Sequence, residues 1–160
     1  MASDIMLNKS FKYIYMGFAI CGALVYFGIS SETSAEQSSF IKVENARSYE
    51  APPVVKNGAA FVTLKNTGNQ DDALIAAKSD IAQKVELHTH LHEDGIMRMR
   101  KVERIKVPAN GQAILKPMGD HIMLIGLEKP LKPGESFDIK FLFEKAQPVS
   151  VKVDVLERSR

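Results

Sequence analysis

The four histidines of the chain, His88, His90, His92 and His121, fall in one window together with Met97, Met99, Met118 and Met123, while the other methionines are Met1, Met6 and Met16 near the N-terminus. Methionine used as adaptable core filler would be spread over the whole folded region, so its confinement to the histidine window points to the thioether as a ligand. Imidazole and thioether together form a soft donor set, which among biological metals favours Cu(I) over Zn(II), Ca(II) or Mg(II). The single cysteine, Cys21, lies in an apolar N-terminal stretch. The folded region therefore offers no disulfide, no zinc-thiolate site and no thiol nucleophile. A blue-copper electron-transfer centre, which needs a thiolate, is excluded as well. Thioether sulfur carries no proton to lose and forms no disulfide, so it suits a copper site in an oxidising compartment.

Strand geometry brings these donors together, because side chains on one face of a strand recur every two residues. Glu86, His88 and His90 share a face, Met97 and Met99 share a face, and so do His121 and Met123. The stretch between the first two sets, LHEDGI, reads as a hairpin in which Gly95 supplies a positive φ. With a loop of residues 92 to 95, Leu91 pairs with Ile96, His88 faces Met99 and His90 faces Met97. With a loop of Asp94 and Gly95 alone, His90 faces Met99. Both registers leave the imidazoles and thioethers on one face. Arg98 and Arg100 point to the other, His92 falls in or beside the turn, and Met118 sits in the turn KPMGD, where it can shield a site from solvent.

The elements that must hold these residues are short and β-rich. Apolar–polar alternation recurs at 40–46, 59–66, 72–79, 83–90, 96–103, 111–117, 121–127, 136–144 and 149–157, separated by Gly-Asn, Asp-Gly, Asn-Gly, Gly-Asp and Pro-Gly-Glu. No window beyond residue 36 keeps a helical period. The pattern predicts an all-β antiparallel sandwich or barrel.

Ahead of this domain, Lys9 and Lys12 precede an uncharged run over residues 13–29, followed by Glu32 and Glu36. A positive flank followed by an apolar centre is the order of a secretory signal or an N-terminal anchor, and it delivers the domain outside the cytoplasm. Length does not choose between cleavage and anchoring. Thr33-Ser34-Ala35 offers a small-residue cleavage site, and Cys21 follows the bulky Ile20 where a lipidated cysteine follows a small residue. The segment SSETSAEQSS (30–39) reads as a linker. The expected organisation is a signal peptide or membrane anchor plus linker over 1–35 and a copper-binding β domain over 36–160. The chain totals 160 residues with 45% apolar and 25% charged, which leaves enough for one core. A net charge of +2 with no basic cluster gives nucleic acid no electrostatic footprint.

The strings VELHTH, EDGIMRMR, AILKP, HIMLIGL and PLKPGESF resemble the periplasmic copper chaperones called PCu(A)C. That family's motif is His, ten residues, Met, twenty-one residues, then His-x-Met, and His88, Met99, His121 and Met123 meet it at all four positions. The resemblance runs from about Ile41 to Leu156. VENARSYEAPP resembles the family's start, with Arg47 where an aromatic residue is expected. No His/Met-rich stretch follows Glu157, as in the short form with a single site. The resemblance implies a cupredoxin-like Greek-key β domain, a monomer, that binds Cu(I) through His88, Met99, His121 and Met123, with His90 and Met97 as auxiliary donors. It further implies a periplasmic location and delivery of copper toward the copper subunit of cytochrome c oxidase, alongside a thioredoxin-like partner of the Sco type. Two other readings compete. One is a copper buffer or store without a client. The other is a metal enzyme using the histidines with Glu93 as base, and it is the weaker because thioethers support zinc poorly and carboxylates on a turn are usually solvated.

Overall fold

In a computed structural model the described residues are 40–93 and 95–158, without the Glu93 side chain. The run 13–29, Cys21 and the linker lie outside them. Ten strands follow one another: β1 (Ile41–Tyr49), β2 (Asn57–Asn66), β3 (Asp72–Lys78), β4 (Ala82–Glu93), β5 (Ile96–Lys101), β6 (Ile105–Val107), β7 (Gln112–Ile114), β8 (His121–Leu127), β9 (Ser136–Phe143) and β10 (Val149–Leu156). The all-β expectation holds, and the nine alternating stretches each correspond to a strand. The tenth, β6, is only three residues long, too short for alternation to register, yet Ile105 and Val107 are both buried.

Hydrogen bonds link the strands in the order β5-β4-β8-β2-β1-β10-β9-β3-β6, with β7 pairing the second half of β2. The sheet curls so that β3 approaches β4 and β6 approaches β7. One core results, with Leu64, Leu74, Ile122, Ile139, Phe141 and Val153 among its fully buried side chains. β9 shows how the sequence dictates this. Phe137, Ile139, Phe141 and Phe143 alternate with Ser136, Asp138 and Lys140, so a single face carries the apolar set inward.

One pairing departs from the antiparallel expectation. β1 and β10 run parallel, with Arg47 beside Asp154 and Tyr49 beside Leu156. Alternation is the same in parallel and antiparallel strands, so it carries no information on direction. β1 also holds a bulge, where the register against β2 shifts between Glu44 and Arg47. Asn45 there adopts φ 53°, a left-handed conformation that asparagine tolerates because its short side chain can hydrogen-bond locally.

For the histidine window the decisive element is the β4–β5 hairpin on one edge of the sheet. Its register pairs His90 with Met99, His92 with Met97 and Glu93 with Ile96. The strands are thus joined by residues 94 and 95 alone, and the four-residue loop that would set His88 opposite Met99 is not formed. His88 instead faces Lys101 across this ladder and His121 across the β4–β8 ladder.

Candidate metal centre

The donors meet where β4, β5, β8 and β2 lie side by side. β8 brings His121 opposite His88 and Met123 opposite Glu86, and β2 brings Ala59 opposite Met123. A cavity of about 300 Å³ opens beside Gly58 and Ala59 of β2, bordered by His90, Met99, Met118, His121 and Met123. The side chain of Arg158 also reaches its rim.

His121 is the fixed point of this cavity. It is 2% exposed, and its ring lies 5.1 Å from that of His90 and 5.8 Å from that of His88, centroid to centroid. Phe61, whose ring stacks obliquely on Tyr49, closes the opposite side at 6.5 Å. The Nδ1–H of His121 donates to the Gly119 carbonyl at 2.9 Å, which sets its tautomer and leaves the Nε2 lone pair as the donor atom. Burial pushes the His121 imidazole below its ordinary pKa. The Gly119 carbonyl works against that shift, and the neighbouring His90 and His88 work with it. The turn that supplies Gly119 is closed by Lys116 N–H to Asp120 O at 2.8 Å and Gly119 N–H to Lys116 O at 3.1 Å. Met118 within it adopts φ 65° and is 65% exposed at the mouth of the cavity.

His88 is held the other way round. Its Nε2–H donates to Glu86 Oε2 at 3.0 Å, and Lys101 Nζ donates to Glu86 Oε1 at 2.9 Å. Those two hydrogen bonds, that from His88 first, hold the Glu86 carboxyl below its usual range. The remaining ring nitrogen, Nδ1, is buried and has no hydrogen-bond partner. An imidazole nitrogen removed from water and left unbonded costs free energy unless something else occupies its lone pair, and a cation is the natural occupant. The carboxylate–imidazole pair behind it is the arrangement that orients metal-ligating histidines.

The sequence-expected residues thus separate. Met99, His121 and Met123 border the cavity. His88 is adjacent to His121 but is not among the cavity's lining residues, whereas His90, read as auxiliary, is. Met97 is two residues further out along β5, opposite His92. Among the described residues no three His, Cys, Asp or Glu side chains form a metal-holding group by themselves. Glu86 is the residue that sequence reading passed over as a partner of the site. Its shared face with His88 was legible, and its hydrogen bond to the ring was not.

Residues 41–155 match the family model described as "Putative lipoprotein LpqE-like". The chain belongs to the LpqE-like family. The LpqE-like chain is 30% identical over 137 residues to the protein Lxx21020 of Leifsonia xyli subsp. xyli, a match that covers 84% of this chain and 81% of the relative. It is 32% identical over 102 residues to the protein RP573 of Rickettsia prowazekii, covering 63% of this chain and 56% of that one. Among solved structures, Cu(I)-DR1885 from Deinococcus radiodurans is similar with a TM-score of 0.61 at 30% identity, covering 79% of this chain and 85% of that one. The copper-bound PCuAC domain from PmoF2 has a TM-score of 0.62 at 20% identity, covering 75% and 98%, and shares the fold. The resemblance to PCu(A)C domains read from VELHTH and HIMLIGL is borne out, as is the cupredoxin-like fold.

Proposed function

We propose that this LpqE-like chain is an extracytoplasmic Cu(I) carrier, a metallochaperone and not an enzyme. The ion is its cargo, held by His88 through Nδ1, His121 through Nε2, Met99 and Met123, with His90 as a further donor at the cavity wall. The observation that carries this reading is the pairing of two thioether-bearing strands with the His88–His121 couple, in which one buried ring nitrogen lacks any partner and the other ring is tied to leave Nε2 available. The copper-bound states named for DR1885 and the PmoF2 domain support the choice of metal.

The donor set suits a carrier. Cu(I) accepts two to four soft ligands in flexible arrangements, and ligands on neighbouring strands can be exchanged one at a time with those of a partner. Met99 is 45% exposed, so an incoming donor can reach the ion from the side of β5. Residues 1–35 serve as signal peptide or inner-membrane anchor and 36–160 as the copper-binding domain in the periplasm. The receiving protein is the copper subunit of cytochrome c oxidase, with a Sco-type protein as co-worker.

X-ray absorption on the Cu(I)-loaded chain tests the site. Mixed nitrogen and sulfur scattering that loses its sulfur in a Met99→Leu, Met123→Leu variant supports the ligand set. Nitrogen and oxygen scattering unchanged in that variant would make the methionines packing residues and end the proposal. Transfer of the ion to the purified copper domain of the oxidase separates a chaperone from a buffer.

A further inference from the structure

The β4–β5 hairpin carries more soft donors than the cavity uses. β5 is exposed at every one of its positions, so neither of its methionines is explained by core packing. Met99 has a use at the cavity edge. Met97, at 38% exposed, does not border the cavity, and it stands directly opposite the exposed His92. Directly opposed residues in an antiparallel pair have Cβ atoms about 5 Å apart, a separation at which an imidazole and a thioether can share one ion. His92 and Met97 also lie on the same face as His90 and Met99, two residues farther along each strand and therefore about 7 Å outward. The hairpin so presents two successive imidazole–thioether pairs, the inner one at the cavity and the outer one toward the tip.

We propose that His92 and Met97 form a second, weaker Cu(I) site on the solvent side of the hairpin, through which the ion enters and leaves the cavity. This rests on the carrier reading above and adds a route to it. The step is a ligand exchange. A bond from copper to His92 or Met97 forms as one to His90 or Met99 breaks, the ion keeps its charge, and no electron or proton is transferred. Two features favour the outer pair as a transit point. It offers only two protein donors, so it binds less tightly than the cavity, and the three rotatable bonds of each methionine let a thioether span part of the distance between pairs.

The test uses the full-length chain in detergent, titrated with Cu(I) against a colorimetric Cu(I) chelator, in parallel with a His92→Ala, Met97→Leu variant. The wild type is expected to take up a second, weaker equivalent after the first, with NMR shifts at the His92 ring and the Met97 methyl group only during the second. The variant is expected to lose that equivalent, keep the affinity of the first, and release copper to the chelator severalfold more slowly. A wild type that binds one equivalent only, or a variant that retains the second equivalent and the wild-type release rate, overturns the transit site while leaving the carrier reading intact. Failure of the wild type to hold even the first equivalent would instead overturn the carrier reading, and the transit site with it.

Discussion

His88 and His121 face each other across the β4–β8 ladder with opposite ends of their rings tied down: Nε2–H of His88 to Glu86 at 3.0 Å, Nδ1–H of His121 to the Gly119 carbonyl at 2.9 Å. Antiparallel pairing sets the rings 5.8 Å apart, and the two restraints leave Nδ1 of one and Nε2 of the other to serve a common ion. One restraint comes from the same strand, two residues away, and the other from the turn before β8.

The Glu86 restraint is accessible to mutation. Glu86→Gln keeps the shape of the side chain and removes the charge that favours the Nε2–H tautomer of His88. Cu(I) affinity is expected to fall about 10- to 100-fold, the usual effect of losing a carboxylate behind a metal-ligating histidine. Chelator competition measures it, and an unchanged affinity would detach Glu86 from the site.

Acid should weaken the copper-free domain through His121. Because its folded pKa lies below its unfolded value, the unfolded chain takes up a proton first as pH falls. The stabilisation is complete above the ordinary value of 6.5 and is lost progressively as pH falls below it toward the folded value. Urea midpoints measured from about pH 7 down to about pH 5 should therefore drop. In a His121→Phe variant that part of the slope should vanish.

Gly126, in β8 two residues after Leu124, has φ 69°, and a Cβ there would lie 2.8 Å from Gln83 Oε1. Gly126→Ala imposes a left-handed conformation on a residue with a side chain and displaces Gln83. A loss of about 1–3 kcal/mol is expected in urea unfolding. A neutral result would mean that β8 relaxes at its end without disturbing the pairing with β4.

Phe141 is the largest of the fully buried side chains and sits on β9 between the β10 and β3 pairings. Phe141→Ala should cost about 3–5 kcal/mol, the transfer term plus the cavity left behind. Because Phe141 is on the far side of the sheet order from the hairpin, Cu(I) affinity of the folded variant should be unaffected. Thermal unfolding and chelator competition on the same sample check both halves.

Much of the architecture was legible because burial imposes a period. Each alternating stretch became a strand, and the soft donors could be assigned to common faces without coordinates. A chain with no cysteine in its folded region and with its thioethers gathered around its histidines is restricted to soft-metal chemistry by composition alone. What alternation cannot carry is register in steps of two. Loops of four residues and of two keep every side chain on the same face, so the pattern was blind to whether His88 or His90 meets Met99, and only the closed hairpin decided for His90. It was blind for the same reason to the parallel run of β1 beside β10, since strand direction leaves the period unchanged. The choice of donor nitrogen on each ring lay further still from the sequence. It depends on a carboxylate and a backbone carbonyl reaching hydrogen-bond distance of particular ring atoms, and such distances exist only once the strands are paired and the turn before His121 is closed.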